Sequence, residues 1–108
     1  MIEINKGKNN SYQFKLKTRD GNVLLNSVDF KSEEEVHRTI DDLNPIIKKQ
    51  SVFERKTDHE GNFLFNLKDL SGKVIGKSQR YGSEAGMENG IKNLKNRISS
   101  ISGDAGLY

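Results

Sequence analysis

Residues 12–43 read YQFKLKTRDGNVLLNSVDFKSEEEVHRTIDDL, and residues 63–94 read FLFNLKDLSGKVIGKSQRYGSEAGMENGIKNL. Set 51 positions apart, the two stretches align without a gap, and ten of the 32 pairs are identical. They are Phe14 with Phe65, Leu16 with Leu67, Lys17 with Lys68, Gly21 with Gly72, Val23 with Val74, Ser27 with Ser78, Ser32 with Ser83, Glu33 with Glu84, Ile40 with Ile91 and Leu43 with Leu94. That is too many for coincidence, so the chain reads as two copies of one unit.

Each unit opens on a period of two. Tyr12, Phe14 and Leu16 alternate with Gln13, Lys15 and Lys17, and Phe63, Phe65 and Leu67 alternate with Leu64, Asn66 and Lys68, the mark of a strand with one buried face. Asp20-Gly21 and Ser71-Gly72 then supply the positive backbone angle of a hairpin turn, and second strands run from Val23 to about Val28 and from Val74 to about Gln79. The period next changes to 3.6, with Val36, Ile40, Leu43 and Ile47 in one unit and Met87, Ile91, Leu94 and Ile98 in the other. Ser32 with Glu35 forms a capping box, and Glu33 and Glu34 complement the helix dipole. Ser83 repeats the cap, but the box position is Gly86. Pro45 predicts that the first helix ends near Leu43, because proline cannot continue the backbone ladder.

Residues 51–57 make a further short strand, which falls at the same offset on Ile2-Glu3-Ile4, with Glu54 on Glu3. Three strands and one helix per unit follow, in repeats of about residues 1–50 and 51–101, with a loose polar tail at 102–108. The expected core is Phe14, Leu16, Val36, Ile40, Leu43, Phe65, Leu67, Met87, Ile91 and Leu94.

The whole chain has 108 residues, 32% of them hydrophobic and 31% charged, which allows one small domain with a thin margin of burial. The net charge of +3 is spread over both halves, so no basic arm announces a nucleic-acid partner. With no cysteine there is neither a disulfide framework nor a thiolate site, and no run approaches the roughly 20 apolar residues of a membrane span. A cytoplasmic monomer without membrane contact is expected, the second copy within the chain already supplying the partner sheet.

The second unit, through Phe65-Asn66-Leu67-Lys68, Gly72-Lys73-Val74-Ile75-Gly76-Lys77-Ser78, Tyr81 and Gly90-Ile91, resembles the YegP-like family, bacterial domains of unknown function. The resemblance implies an α+β fold: two tandem β-β-β-α-β units form one antiparallel sheet, exchange their terminal strands and pack both helices on one face. It implies no activity. The first unit departs from the pattern, with Leu25 in place of Gly76 and Thr39 in place of Gly90, so a site needing both glycines would exist in one copy only.

No residue set converges on catalysis, and neither a cofactor loop nor metal-ligand spacing occurs. His37 lies beside the first helical stripe and His59 in a polar turn. Glu33, Glu34, Glu35, Asp41 and Asp42 read as a solvated helix face rather than a carboxylate site. Ser27 and Ser78 lack a nucleophile elbow and read as backbone-bonding hydroxyls. Gly86 and Gly90 each cost about 1 kcal/mol in a helix, and this implies close packing or, with Ser78, a ligand notch. Finally, Gln13, Lys15, Lys17, Asn66 and Lys68 should lie on the sheet face away from the helices. All strand aromatics fall on the other side, which removes base stacking and leaves only phosphate contact. The chain is therefore expected to be a non-enzymatic binding or interaction module for a protein or small-molecule ligand, with weak, non-specific nucleic-acid binding through the lysine face as the alternative.

Overall fold

The computed structural model describes residues 2–103. Strands β1 (Ile2–Lys6), β2 (Tyr12–Lys17) and β3 (Val23–Ser27) precede helix α1 (Glu33–Ile47), and β4 (Phe53–Thr57), β5 (Phe63–Lys68) and β6 (Val74–Lys77) precede helix α2 (Glu84–Gly103). All neighbouring strands are antiparallel, and they form one sheet in the order β1-β2-β3-β6-β5-β4. The centre of the sheet is the β3–β6 pair, where Asn26 faces Lys77 and Ser27 faces Gly76.

Local chemistry sets the turns. Gly21 and Gly72 have φ of +88° and +91°, and their N–H groups bond the carbonyls of Thr18 and Asp69 at 3.1 and 3.0 Å. A side chain is strained at such angles, and glycine is not. Immediately beyond each turn one residue is extra in its strand: Leu16 pairs with Leu25 and Lys17 with Val23, leaving Leu24 unmatched, and Ile75 is unmatched in the same way. These bulges bring two consecutive side chains, Leu24 and Leu25, onto the core side, where both are buried.

The core matches the periodicity. All ten expected residues are buried, and Leu24, Leu25, Ile46, Ile47, Val52, Phe53, Ile75 and Ile98 join them in one cluster. Because β2 and β5 bury Phe14, Leu16, Phe65 and Leu67 in that same cluster, both helices cover one side of the sheet and leave the other open.

Three expectations are corrected. Helix α1 runs through Pro45 to Ile47. Proline inside a helix costs about 3 kcal/mol, while fully burying one isoleucine returns about 1.5 to 3 kcal/mol, and Ile46 and Ile47 are 4% and 5% exposed. The bulk of the last turn thus offsets the lost bond. Second, the terminal strands are not exchanged as the resemblance implies, and each half contributes the three strands read from its residues rather than the four of a β-β-β-α-β unit. β1 pairs with β2 across the turn 7–11 and β4 with β5 across 58–62. Closing a five-residue turn costs little chain entropy, and Phe53 of β4 sits edge-on to Phe65, ring centres 5.9 Å apart. Third, α2 reaches Gly103, two residues into the segment expected to be loose. The rest of that segment, 104–108, lies outside the described residues.

Candidate functional site

The open face is best followed along one line crossing the sheet. Strand pairing sets Glu3 opposite Lys15, Lys15 opposite Asn26, Asn26 opposite Lys77, Lys77 opposite Asn66, and Asn66 opposite Glu54. Lys15 lies between the buried Phe14 and Leu16, and Asn66 between Phe65 and Leu67, so alternation points this whole row away from the helices. Its charges run negative, positive, neutral, positive, neutral, negative. Lys17 and Lys68 flank the row on β2 and β5, and Lys56 on β4.

The two glutamates at the ends take up the outer lysines. Lys17 Nζ is 2.9 Å from Glu3 Oε2, and Lys68 Nζ is 3.2 Å from Glu54 Oε2, with Lys56 Nζ 3.7 Å from Glu54 Oε1. The hydrogen bond from Lys17, with Asn5 also donating, holds the Glu3 carboxyl below the usual glutamate range. For Glu54 the Asn66 amide is the larger cause and Lys68 the next. Lys15 and Lys77, in contrast, make no ion pair among the described residues. They sit on β2 and β6 with β3 between them, about 10 Å apart at the backbone.

Asn66 lies on this face, as expected, but it is only 5% exposed. Its Nδ2 donates to Glu54 Oε1 at 3.1 Å, and its Oδ1 is buried without a partner. Of the five residues expected on the face, Gln13 donates to Asp29, Asn66 donates to Glu54, Lys17 and Lys68 are held by carboxylates, and Lys15 makes no ion pair among the described residues. Asn26 and Lys77 were not singled out from the sequence. Continuing the alternation into the second strand of each hairpin, beyond the bulge, places them on the same side.

The serine-glycine region is built differently. Ser78 Oγ accepts from the Phe65 N–H at 2.9 Å and donates to the Gln79 carbonyl at 2.7 Å, and Ser27 does the same with Phe14 and Val28 at 2.8 Å each. Both hydroxyls stitch a strand end to its neighbour. Over Gly90 lies the ring of Tyr81: a β-carbon there would come within 2.2 Å of Oη and 2.5 Å of Cζ. Gly86 receives the cap, its N–H donating to Ser83 Oγ at 3.0 Å. In the first unit Phe30 and Thr39 hold these places, so the side chain gained on the helix is matched by a hydroxyl lost from the ring.

The histidines are far apart in setting. His37 Nε2 is 3.9 Å from Glu33 one helical turn back, and His59 is exposed in the β4–β5 turn, where Asp58 caps the N–H groups of Glu60 and Asn62 at 2.9 Å. Those bonds, Asn62 first, keep Asp58 below its usual range. Among the described residues no three histidine, aspartate or glutamate side chains gather as metal ligands, and no helix is long and apolar enough to cross a membrane.

Fold and face together define an α+β protein in which a six-stranded antiparallel sheet presents a polar surface opposite two helices. The chain belongs to the YegP family. It is 31% identical over 94 residues to the UPF0339 protein YegP of Escherichia coli K12, covering 87% of this chain and 86% of that one, and 32% identical over 95 residues to the UPF0339 protein in the ptx operon 5' region of Stutzerimonas stutzeri, at 88% and 86%. Residues 58–100 match the domain of unknown function DUF1508. The solution NMR structure of YegP from E. coli superposes with a TM-score of 0.83 at 30% identity, over 91% of this chain and 84% of that one, and the UPF0339 protein SO3888 from Shewanella oneidensis gives 0.83 at 27%, over 90% and 82%. The family is uncharacterised and has no assigned function.

Proposed function

We propose that the protein is a small non-enzymatic binding module, a cytoplasmic monomer built from two copies of one unit, and that its working surface is the open sheet face. One observation carries this. In the middle of an uncovered sheet face, Lys15 and Lys77 make no ion pair among the described residues, whereas Ser27, Ser78, Gly90, Glu3 and Glu54 are occupied by the fold itself. The duplication is supported by the strand limits: β1 and β4, and β2 and β5, begin and end 51 residues apart. A thermal-shift screen with metabolites, metals and oligonucleotides, followed by amide mapping of each hit, tests the reading. Hits should perturb Lys15, Asn26, Asn66 and Lys77, and turnover of any compound, or perturbation confined to the helices, overturns it. A light-scattering mass above that of one chain at micromolar concentration contradicts the monomer.

Weak nucleic-acid binding is the second reading, favoured by five lysines against two glutamates on the face. Contacts of Lys15, Lys17 and Lys68 with phosphate would be independent of sequence, steeply salt-dependent and in the range of about 10⁻⁴ to 10⁻⁶ M. Neutralising all three should weaken binding without unfolding the domain, because exposed lysines contribute little to stability. The carboxylates holding Lys17 and Lys68 weaken this reading, since a phosphate must compete with a glutamate already in place.

A further inference from the structure

Away from the open face, a cavity of about 420 Å³ lies between the first two turns of α1, the segment just after β3 and the β5–β6 hairpin. That volume is in the range of small-molecule sites, about 300 to 1,000 Å³. Its apolar lining is Val28, Phe30 and Ile75, with the Val28 N–H bonded to the Ile75 carbonyl at 3.0 Å. The repeat does not account for this cavity. Ten residues line it, and at the 51-residue offset none of the ten pairs is identical, so all ten identities fall among the other 22 pairs. Opposite Lys31, Glu35, Arg38 and Lys73 stand Gly82, Gly86, Asn89 and Asn22. Residues that shape the strands, turns and core recur in both halves, whereas these charges occur once. The matching place in the other half is filled by the ring of Tyr81 over Gly90. Phe30 instead stacks on Phe14, ring centres 6.1 Å apart, and the Thr39 hydroxyl turns back to donate to the Glu35 carbonyl at 2.9 Å.

Three cations and three carboxylates line the cavity, so its formal charge is zero. They are not equally engaged. Asp69 accepts from Ser71 Oγ and from the N–H groups of Ser71 and Lys73 at 2.6 to 3.0 Å, Asp29 accepts from Gln13, and Arg38 pairs with Glu34 at 3.0 Å. Lys31 and Lys73 make no ion pair among the described residues. The Glu35 carboxylate makes neither an ion pair nor a hydrogen bond among them; Ser32 caps the helix through the Glu35 N–H, but the reciprocal bond of a capping box is not made. Two ammonium groups and one carboxylate are therefore available around an apolar lining. A ligand that is only an anion faces Glu35, one that is only a cation faces the lysines, and such like-charge contacts are costly. A ligand carrying both signs meets neither penalty. We infer that the cavity takes a free α-amino acid with a large apolar side chain. Its carboxylate meets Lys31 and Lys73, its ammonium group meets Glu35, and its side chain packs on Val28, Phe30 and Ile75. This site is separate from the open face and does not depend on it.

The test uses the full chain, ¹⁵N-labelled, and four probes: L-phenylalanine, its N-acetyl derivative, its amide, and glycine. Each is titrated to about 10 mM, above the millimolar affinity expected of so small a ligand. L-phenylalanine should shift the amides of Lys31, Glu35, Thr39, Lys73 and Ile75. It should bind at least about tenfold tighter than the N-acetyl derivative or the amide, each of which loses one charge-assisted contact. Glycine, which lacks the apolar body, should be weaker by at least about the same factor. Glu35→Gln should remove the advantage over the N-acetyl derivative, and Lys31→Gln with Lys73→Gln the advantage over the amide, each leaving the other preference in place. Unchanged spectral dispersion confirms that the variants are folded. Equal affinity for the three phenylalanine compounds would mark a merely apolar cavity and overturn the inference, as would tighter binding of the N-acetyl derivative or the absence of any shift. Shifts confined to Lys15, Asn26, Asn66 and Lys77 would overturn it too, while supporting the open face as the working surface.

Discussion

Leu25 lies directly over Gly76: a β-carbon on that glycine would sit 2.9 Å from Leu25 Cγ and 3.1 Å from the carbonyl oxygen of Asn26. The two residues hold the same place in the two halves, 51 positions apart. They meet because β3 and β6 adjoin at the centre of the sheet, where two leucines would collide and two glycines would leave a void. The departure of one half from the other is therefore a complement.

Gly76→Ala should destabilise the protein by about 1 to 3 kcal/mol, the range for an overpacked core. Leu25→Ala alone should cost about 2 to 5 kcal/mol. The double variant should lose less than the sum, because the side chain that collides is gone, although the contact with the Asn26 carbonyl persists. Urea denaturation of the four proteins measures the coupling, and strict additivity would refute the steric account.

Tyr81→Phe should leave stability unchanged or raise it. The Tyr81 hydroxyl is buried without a partner, and removing such a group relieves a desolvation penalty of about 1 to 3 kcal/mol. Gly90→Ala, by contrast, drives a methyl group to within 2.2 Å of that oxygen and should be strongly destabilising in the wild-type background. A lower melting temperature for Tyr81→Phe would show that the hydroxyl is bonded after all.

Ile91→Ala should cost about 2 to 5 kcal/mol, since Ile91 is 3% exposed on the buried stripe of α2. Chemical denaturation checks this, and a loss below 1 kcal/mol would remove α2 from the core.

Acid should destabilise the protein. Glu3, Glu54, Asp58, Asp69 and Glu88 are all held below their usual ranges, by Lys17, Asn66, Asn62, Ser71 and Arg55 respectively as the largest causes. A depressed folded-state value means that the contribution is complete above the unfolded carboxylate range, about 4, and is lost as pH falls through the lower folded values. Melting temperature should thus be level from about pH 7 to 5 and fall from about pH 4 downward. The groups range from partly covered to exposed, and the individual shares are small. A melting temperature that rises on acidification would contradict the sign.

What the sequence by itself determined are features with a short period or a local cause. Alternation marked β2 and β5, positive-φ glycines marked their turns, and Ser32 and Ser83 marked the helix starts, because a strand face, a turn and a cap each depend on residues within a few positions of one another. The 51-residue offset likewise carried Glu54 onto Glu3. Only the tertiary structure decided the rest. Pro45 alone argues for a stop, and it is the burial of Ile46 and Ile47 in the common core that carries α1 past it. Lys17 and Lys68 look free in sequence, and only the pairing of β1 with β2 and β4 with β5 brings glutamates to them. Tyr81 and Gly90 read as an aromatic and an open notch until the fold lays one over the other. The face is one row of six side chains because β3 joins β6, and that contact is between residues half the chain apart, where no periodicity reaches.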